Sequence, residues 1–488
     1  MLSRRHFLAL GGAVGTAALI TGREMTRADA GQPGALSQPG HQHGAPTGAA
    51  VATAVTPFSV RMPTLPVLSP VASRFGTDLY RLPVRAANVE ILPGVSTPAL
   101  TYGGRFVGPT IRARAGRRVL VSVGNEHDMP TNVHLHGGHV AASNDGHPLD
   151  VIEPGRSRLY EYPNGQQGAT LWYHDHSHHM EAEHVYRGLA GFYLIEDDSE
   201  RELRLPGGPY DVPIALRDAL FDANGALVFG GNPAFRDVIL ANGRPSPYFP
   251  VARRKYRFRL LNSATERIFT LSLGGQEMTQ IASDGGLLPA PVARTQLRLG
   301  SAERTEIVVD FSRHPIGTQL VLEDTRGPVL RFDVVREASD SSRVPDALRP
   351  LPALPAATVE RDVVLSSAFG PTGIPVGMVN GKPYDPARND VQVTRGDTEI
   401  WRIRNADVDF GGFMHTFHLH LVQFRVLDRD GTPPGSDDRG LKDTIVMPPG
   451  TTARVQATFR DFLGKYVYHC HFLEHSSIGM MAQMEIVP

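Results

Sequence analysis

A threefold internal repeat is the feature that most limits how this chain can fold. Each copy has a Gly-Gly or Asn-Gly turn followed by a basic residue, at 103–105, 242–244 and 380–382, and then an alternating apolar run that ends in Asn125, Asn262 or Asn405. A repeat at a regular period indicates copies of one structural unit. Because 50 glycines and 39 prolines separate short runs rich in Val, Leu, Phe and Tyr, each unit is predicted to be a β-sandwich of short strands.

The repeat predicts three units of similar size. We place them at residues 57–200, 201–345 and 346–488, after an N-terminal signal at 1–30 and a flexible leader at 31–56 that is rich in Gly, Pro, Ala and Thr. Three units agree with the usual domain size of roughly 100 to 200 residues. The net charge of −1 favours neither a nucleic-acid nor a membrane partner. A monomer is the expected state.

The first 30 residues predict export. Arg4 and Arg5 precede a mildly apolar stretch, and Ala28 and Ala30 form a small-x-small cleavage pattern, which is typical of a twin-arginine signal. The apolar stretch is too short and too rich in Gly and Ala to serve as a membrane anchor. We therefore expect a periplasmic or extracellular protein. Since the chain has one cysteine, no intrachain disulfide can stabilise it.

That cysteine, Cys470, lies between His469 and His471 and is followed by His475 and Met480. A thiolate, two imidazoles and a distant thioether form the ligand set of a blue-copper electron-transfer centre. If this segment is a strand, alternate side chains point to opposite faces, so that Cys470 faces one way and its two histidine neighbours face the other. One strand is thus predicted to serve two metal sites.

Three further histidine clusters can complete the second site. Each contains a His-x-His pair whose rings fall on one face of an extended segment, and the clusters are His134-Leu135-His136, His174-Asp175-His176 and His415-Thr416-Phe417-His418-Leu419-His420. One such pair is an ordinary occurrence in a chain with 20 histidines. Four pairs, with the sole cysteine inside the fourth, indicate a metal centre.

These motifs resemble the multicopper oxidases, and within them the bacterial laccase group that includes spore-coat laccase, bilirubin oxidase and phenoxazinone synthase. The residues that carry the resemblance are His-Leu-His-Gly-Gly at 134–138, Leu-Trp-Tyr-His-Asp-His at 171–176, His-Thr-Phe-His-Leu-His-Leu at 415–421, and His-Cys-His-Phe-Leu-Glu-His at 469–475 with Met480. The match spans most of the chain. It implies an all-β fold of three cupredoxin-like Greek-key β-sandwich domains.

The resemblance also implies a ligand set for four copper ions. The type 1 copper, where a reducing substrate delivers electrons, would take His415, Cys470, His475 and Met480. The type 2 copper would take His134 and His418. The two type 3 coppers would share His136, His174, His176, His420, His469 and His471. In the family, dioxygen binds among the last three coppers and leaves as two waters.

The distribution of histidines assigns metal to two of the three units. Between residues 200 and 350 the only histidine is His314, so the middle unit is expected to be a spacer without copper, and the three-copper site is expected between the first and third units. The remaining histidines near the motifs fall outside the family pattern. We expect them to be solvated or to support the ligands; they are His127, His139, His147, His178, His179 and His184.

The reducing substrate is expected to be a phenol or an aromatic amine, the default of the family, which would be oxidised at the exposed edge of His475. Oxidation of Cu(I) or Fe(II) is an alternative, although no methionine occurs between Met378 and Met414, where cuprous oxidases carry a methionine-rich insertion. A ferroxidase would need carboxylates near the type 1 site. A copper-sequestering protein and a non-catalytic structural relative are the alternatives from other classes.

Reduction of dioxygen also needs protons in a buried site. Asp145, which precedes Gly146 after the first motif, matches a family acid near the three coppers and is the predicted proton relay; a turn aspartate is the structural alternative. Close relatives have a glutamate directly after the last type 1 histidine, where this chain has Ser476. The predicted catalytic residues are therefore Asp145, Cys470 and His475.

Overall fold

The computed structural model describes residues 55–488, so the predicted signal at 1–30 and the leader up to residue 54 lie outside the described residues. The prediction of an all-β fold is confirmed, because the described chain consists of strands with three short α-helices. The helices are α1 (Glu181–Arg187), α2 (Asp198–Glu202) and α3 (Leu473–Ser477). Within the described residues, no helix is both long and apolar enough to cross a membrane.

The N-terminal part of the described chain forms two facing sheets. Its nine strands are β1 (Ala72–Arg74), β2 (Thr77–Glu90), β3 (Ser96–Tyr102), β4 (Gly108–Arg114), β5 (Arg118–Asn125), β6 (His134–His136), β7 (Ser157–Tyr162), β8 (Ala169–His174) and β9 (Ala190–Glu196). One sheet has the order β1-β2-β5-β7 with β3 beside β2, and the other has the order β4-β9-β8-β6. Buried residues such as Leu82, Val121 and Tyr193 fill the space between them.

The middle part forms a larger pair of sheets. Its twelve strands are β10 (Asp211–Ala219), β11 (Val238–Ala241), β12 (Arg244–Pro245), β13 (Tyr248–Arg253), β14 (Lys255–Asn262), β15 (Phe269–Ser272), β16 (Met278–Ser283), β17 (Gly286–Arg294), β18 (Gln296–Leu299), β19 (Arg304–Asp310), β20 (Gln319–Asp324) and β21 (Gly327–Glu337). The two sheets have the orders β12-β11-β10-β14-β19-β16-β17 and β13-β21-β20-β15-β18. Phe258, Phe311 and Phe332 pack at the centre of the core between them.

The C-terminal part also forms two sheets, and each of them has five strands. Its ten strands are β22 (Val359–Phe369), β23 (Pro375–Val379), β24 (Val391–Thr394), β25 (Thr398–Asn405), β26 (His415–Leu419), β27 (Arg425–Arg429), β28 (Thr444–Met447), β29 (Thr452–Thr458), β30 (Gly464–Cys470) and β31 (Met481–Val487). The sheets have the orders β23-β22-β25-β29-β27 and β24-β31-β30-β26-β28. Trp401 and Phe417 are fully buried between them.

The three repeat asparagines hold the same position in the three parts. Asn125, Asn262 and Asn405 end strands β5, β14 and β25, each of which pairs in parallel with the first long strand of its part. In each case the buried side-chain amide donates to two backbone carbonyls, at distances of 2.7–2.9 Å. Each side-chain oxygen accepts from the amide two residues later. The side-chain amide therefore forms hydrogen bonds with backbone groups of the loop that follows the strand, which explains why an asparagine recurs at this position in all three repeats.

The four histidine motifs lie on two pairs of neighbouring strands. In β6 and β8, His134 is directly opposite His174, and in β26 and β30, His418 is directly opposite His469. Residues opposite each other in an antiparallel pair have their side chains on the same face of the sheet. Each ladder therefore presents a row of imidazoles on one face.

Candidate metal centre

The structure brings three of the four predicted type 1 ligands into direct contact. The Nδ1 atoms of His415 and His475 are 3.0 Å apart, and the Cys470 sulfur lies 3.5 Å from the first and 3.7 Å from the second. Each residue comes from a different element: β26, the end of β30, and α3. One nitrogen, one sulfur and one nitrogen face a common point, as a trigonal site for a soft metal requires.

Met480 lies beside this group. It is fully buried and packs in the same apolar cluster as Cys470, and its carbonyl accepts a hydrogen bond from the Cys470 amide at 3.0 Å. Met481 is also buried, but it lies within strand β31, opposite His469. The contacts therefore favour Met480 as the thioether of the site.

Asp407 orients the type 1 histidine of the strand. Its carboxylate lies 2.9 Å from Nε2 of His415 and also accepts hydrogen bonds from the Ser367 amide and hydroxyl, both at 2.6 Å. Burial raises the pKa of Asp407, but the hydrogen bonds from His415 and Ser367 outweigh it and hold the pKa below the usual value. Since Nε2 of His415 is engaged in this way, Nδ1 is the nitrogen directed at Cys470.

The other eight predicted ligands form a second, larger cluster. All eight are buried, and four come from β6, β8 and the loop after β8, whereas four come from β26, β30 and the residues that follow them; they are His134, His136, His174, His176, His418, His420, His469 and His471. The rings lie in contact across the boundary between the N-terminal and C-terminal parts. For example, the His136 and His418 ring centroids are 3.7 Å apart, and those of His134 and His420 are 3.8 Å apart.

Three imidazoles of this cluster converge on one point. Nε2 of His469 lies 3.1 Å from Nε2 of His176 and 3.3 Å from Nε2 of His420, and the three form one of the ligand groups that could hold a metal ion. A second set surrounds the ring of His471, whose centroid is 4.9 Å from that of His136 and 5.2 Å from that of His174. His134 and His418 lie between the two sets, with 5.8 Å between their centroids.

Backbone carbonyls set which nitrogen of each ring faces the cluster. Nδ1 of His134 lies 2.6 Å from the Asp145 carbonyl, Nδ1 of His174 lies 2.8 Å from the Asp175 carbonyl, and Nδ1 of His418 lies 2.8 Å from the Asp443 carbonyl. A nitrogen bound to a carbonyl carries the proton, so the unprotonated Nε2 remains as a ligand.

The cluster fits a group of metal ions better than it fits a packed protein core. Among the described residues, seven of its ring nitrogens are buried without a hydrogen-bond partner: Nε2 of His134, His174 and His418, Nδ1 of His136 and His176, and both nitrogens of His471. Burying an unpaired polar atom is costly, and such atoms are rare in folded proteins. Metal coordination would satisfy Nε2 of His134, His174 and His418, whose Nδ1 atoms are bound to carbonyls, and one nitrogen of His471.

Burial keeps these imidazoles neutral. It lowers the pKa of His174 and of His469 to about 4 and that of His418 to about 3. In His475 of the smaller site, burial and the neighbouring His415 lower the pKa to about 3. Neutral imidazole is the form that binds a metal ion.

Two residues without a sequence signal support the larger cluster. The carboxylate of Asp443 lies 2.9 Å from Nε2 of His136, and Arg304 donates to both oxygens of that carboxylate at 2.7 and 2.6 Å. Arg304 is fully buried and belongs to β19 in the middle part. The middle part contributes none of the predicted ligands, but it is more than the predicted spacer. Its Arg304 holds Asp443, the hydrogen-bond partner of the predicted ligand His136, in place.

Asp145 contacts two predicted ligands. Its side chain is fully buried, and Oδ2 lies 2.8 Å from Nδ1 of His420, whereas its backbone carbonyl binds His134. Oδ1 has no hydrogen-bond partner. Gly146 adopts a positive φ of 77°, as a turn at this position requires. A turn does not explain why the Asp145 carboxylate contacts a predicted ligand, so the turn alternative accounts for only part of the arrangement. The predicted relay role of Asp145 stays a prediction.

The additional histidines lie around the cluster rather than in it. His184 is buried and lies 3.2 Å from the Asp175 carboxylate, and His147 lies 3.0 Å from the Gln483 side chain. His139 lies on the surface between Asp461 and the Leu421 carbonyl. His178 and His179 stack on each other near Tyr384, and His127 lies near the exposed Asp128. None of them belongs to a candidate ligand group in the described residues.

A thiolate–imidazole site joined by one strand to a cluster of eight imidazoles, within three β-sandwiches, defines a copper redox protein. Sequence profiles described as multicopper oxidase match residues 83–200, 223–320 and 354–488. The chain belongs to the multicopper oxidase family, whose members are copper oxidoreductases that use dioxygen as electron acceptor. The prediction of this family is confirmed.

Individual relatives cover most of the chain. A laccase of Bacillus subtilis is 34% identical over 465 residues, which is 79% of this chain and 89% of the relative. A bilirubin oxidase of Albifimbria verrucaria is 35% identical and covers 87% of this chain and 79% of its own length. The crystal structure of a laccase from Pediococcus acidilactici is 30% identical, with a TM-score of 0.82, and covers 89% of this chain and 96% of its own.

Proposed function

We propose that this protein is a laccase-type oxidase that takes electrons one at a time from phenols or aromatic amines at the edge of His475. Four such electrons reduce one dioxygen to two waters at the eight-histidine cluster. The observation that carries the proposal is the row of phenylalanines that leads from the surface to His475, the partly exposed one of the two type 1 histidines. His415 and Cys470 are fully buried, whereas 14% of the His475 side chain is exposed.

Phenylalanines lead from the surface to this histidine. The Phe413 ring centroid is 6.1 Å from that of His475, Phe410 follows at 6.3 Å from Phe413, and Phe369 follows at 4.9 Å from Phe410. Phe369 and Met414 are exposed. Exposed apolar groups close together mark a binding surface for an apolar partner. A planar aromatic reductant suits such a surface, whereas a hydrated metal ion does not.

One carboxyl group lies at the same edge. Oε1 of Glu266 is 3.9 Å from Nε2 of His475. The nearby Glu474 is engaged by Arg236 at 2.7 Å and by the Thr265 hydroxyl at 2.8 Å. Glu266 is therefore placed to orient a phenolic hydroxyl or an aromatic amine by a hydrogen bond. A single carboxyl group is a weak site for Fe(II), because hard cations take several oxygen ligands.

The donor sets support four copper ions. We assign one to His415, Cys470, His475 and Met480, one to His134 and His418, and two to the six other histidines: His136, His174, His176, His420, His469 and His471. Copper in these sites supplies one-electron transfer and binding of dioxygen. The protein holds the imidazoles neutral, excludes water from the cluster and links the two sites through the backbone from Cys470 to His469 and His471.

Export by the twin-arginine route to the periplasm or the exterior is part of this proposal. Its support is the Arg4-Arg5 motif and the small-x-small pattern that ends at Ala30. The same route carries folded proteins. Fractionation of cells that express the full chain, compared with a variant in which Arg4 and Arg5 are both lysine, tests this part.

The test of the function is oxygen consumption by the copper-loaded protein with one reductant at a time. Phenols, aromatic amines, bilirubin, Cu(I) and Fe(II) form the panel. We expect turnover with phenols or aromatic amines. Phe413→Ala should lower the turnover of these aromatic reductants more than it lowers any turnover of Fe(II). Turnover confined to Cu(I) or Fe(II) would identify a metal-ion oxidase. Copper binding without oxygen consumption for any reductant would identify a copper-sequestering protein.

A further inference from the structure

Glu181 is a buried carboxyl group that none of the metal contacts uses. It is the first residue of α1 and is fully buried. Among the described residues it forms no ion pair, and its Oε2 atom has no hydrogen-bond partner. Burial is the main cause that raises the pKa of Glu181 to about 7. A protein gains nothing in stability from burying an unpaired acid, so the position calls for a functional explanation.

The contact of this carboxyl group joins the two metal-binding parts. The hydroxyl of Ser476, directly after His475, donates to Oε1 of Glu181 at 2.9 Å. The same hydroxyl lies 3.1 Å from the Leu473 carbonyl. Leu473 packs against Ala182 and Val185, so the helices α1 and α3 are fixed to each other by apolar contact. The carboxyl group is thus held between α1, which follows the His174-Asp175-His176 motif, and α3, which carries His475.

Hydrogen bonds through Ser177 link Glu181 to the His174-Asp175-His176 motif. The Glu181 amide donates to the carbonyl of Ser177 at 3.0 Å, and the Ser177 hydroxyl donates to the carboxylate of Asp175 at 3.2 Å. Asp175 lies between His174 and His176 in the sequence, and its charge is among those that act on the Glu181 carboxyl group. Glu181 is therefore connected through Ser177 to the residue between two ligands, and among the described residues its carboxyl group has no hydrogen bond to a ligand.

A group of polar aromatic side chains, Tyr384, His178 and His179, lies near Glu181. Burial is the main cause that raises the pKa of the Tyr384 phenol, and the negative charge of Glu181 is the next. The His178 ring packs on Tyr384 at 5.0 Å and stacks on the exposed His179 at 3.7 Å. Nδ1 of His179 lies 2.9 Å from the Ser477 carbonyl. These side chains reach from the buried carboxyl group to the surface.

We propose that Glu181, held by the Ser476 hydroxyl, is a proton-relay residue, in addition to the predicted Asp145, through which protons reach the dioxygen that is reduced at the histidine cluster. The proposal rests on the function proposed above. Each dioxygen takes four electrons, which come from four one-electron oxidations of the reductant, and four protons, which come from solvent. In each transfer the O–H bond of the Glu181 carboxyl breaks and an O–H bond of the product water forms, and the carboxylate takes a new proton from the side of Tyr384 and His178.

The test variant is Glu181→Gln, because glutamine keeps the size of the side chain and the acceptor for Ser476 but has no acidic proton. Glu183→Gln is the matched control on the same helix, since Glu183 is half-buried and its ion pair among the described residues is with Arg187. Both proteins are loaded with copper, reduced with dithionite without oxygen, and mixed with dioxygen in a stopped-flow instrument. Chemical reduction makes the measurement independent of the organic substrate.

We expect reoxidation of Glu181→Gln to be at least about tenfold slower than that of the wild type, as for loss of a general acid. Copper content, the blue absorption band and the rate of reduction by a phenol should stay at wild-type values in both variants. If Glu181→Gln is reoxidised as fast as the wild type, the relay is overturned, and the function is not. If the wild type itself is not reoxidised by dioxygen, the proposed function fails.

Infrared spectroscopy provides a readout that does not depend on turnover. In mildly acidic buffer, the wild-type protein should show the carbonyl stretch of a buried protonated carboxyl group that shifts in deuterated water. Other buried carboxyl groups, among them Asp145 and Glu266, absorb in the same region, so the readout is the difference between the spectra of the wild type and each variant. Glu181→Gln should lose one component of the band, and Glu183→Gln should lose none. A Glu181→Gln spectrum with the same carboxyl band as the wild type would overturn the assignment.

A double variant tests the location of the carboxyl group rather than the helix that carries it. Because Ser476 and Glu181 are in contact, Glu181→Ser combined with Ser476→Glu exchanges the hydroxyl and the carboxyl within the same space. We expect this protein to recover most of the reoxidation rate lost in Glu181→Ser alone. A fully copper-loaded double variant that stays as slow as Glu181→Ser would contradict the proposal.

Discussion

Arg304 and Asp443 form a buried ion pair in which two guanidinium nitrogens lie 2.7 and 2.6 Å from the two carboxylate oxygens. Both side chains are fully buried. The carboxylate in turn lies 2.9 Å from Nε2 of His136. The three residues come from the middle, the C-terminal and the N-terminal part of the chain, so the orientation of one copper ligand depends on all three.

We expect Arg304→Gln to remove copper from the histidine cluster while it leaves the blue site intact. Loss of the guanidinium leaves the Asp443 carboxylate buried without its partner, which typically costs about 3 to 5 kcal/mol. Copper analysis should therefore fall below the wild-type content, with an unchanged blue band, and denaturant unfolding should show a lower free energy of unfolding. Arg298→Gln is the control, because Arg298 is more exposed and belongs to the same part. Full copper loading of Arg304→Gln would contradict this account.

The sulfur of Cys470 is expected to be the source of the intense blue colour. Replacement of this residue by serine removes the soft thiolate but leaves His415 and His475 in place. We expect Cys470→Ser to lose the blue band and to retain up to three coppers, as metal analysis and absorption spectroscopy can show. A blue, active wild-type preparation with two or fewer coppers would disprove the four-copper assignment.

The sequence was sufficient to predict the fold class and to nominate the ligands, because both depend on local patterns. A His-x-His pair places two rings on one face of a strand, and the repeat asparagines mark equivalent loops. The sequence was not sufficient to identify Asp407, Asp443 and Arg304 as residues that support the ligands. These residues have no distinctive spacing, and they meet the histidines only because separate strands are packed together. Glu181 was missed for the same reason, since its partner Ser476 is remote in the sequence.

Met480 should tune the potential of the blue site. A weak axial thioether stabilises the oxidised copper slightly, so Met480→Leu is expected to raise the type 1 reduction potential without loss of the metal. Met481→Leu is the matched control, because Met481 is equally buried but faces away from the Cys470 cluster in strand β31. If redox titration showed a shifted potential for the Met481 variant and none for the Met480 variant, Met481 would be the axial ligand.

The stability of the metal-free protein should fall in acid. Burial holds the pKa of His174, His418 and His469 at about 3 to 4, below the unfolded value of about 6.5. The unfolded chain thus binds more protons than the folded one as the pH falls from about 6.5 to about 4, so the free energy of unfolding decreases in that window. The raised pKa values of buried carboxyl groups such as Glu181, Asp145, Glu266 and Asp284 oppose this trend, but the buried histidines with lowered pKa values are more numerous.

Urea unfolding of the metal-free protein at several pH values measures this effect. Because several histidines titrate together, the slope should exceed the roughly 1.4 kcal/mol per pH unit that one group can contribute. A free energy of unfolding that stays constant between neutral pH and about pH 5 would contradict the buried, neutral state of the histidines.

Asp145→Asn separates the two roles that the Asp145 side chain can have. Asparagine can still accept the hydrogen bond that His420 Nδ1 makes to Oδ2 at 2.8 Å, and the backbone carbonyl that binds His134 is unchanged, so both ligands should keep their orientation. The variant loses only the ability to exchange a proton.

We expect Asp145→Asn to have normal copper content, wild-type reduction of the blue site by a phenol, and slower reoxidation by dioxygen. Reoxidation should be at least about tenfold slower if Asp145 acts as a general acid. Electron entry should not change, because His475 lies in the C-terminal part and does not contact Asp145. Stopped-flow measurement of the two half-reactions tests this directly. An Asp145→Asn protein with full copper and a wild-type rate of reoxidation would show that Asp145 only positions His420 and His134, and would leave proton delivery to Glu181.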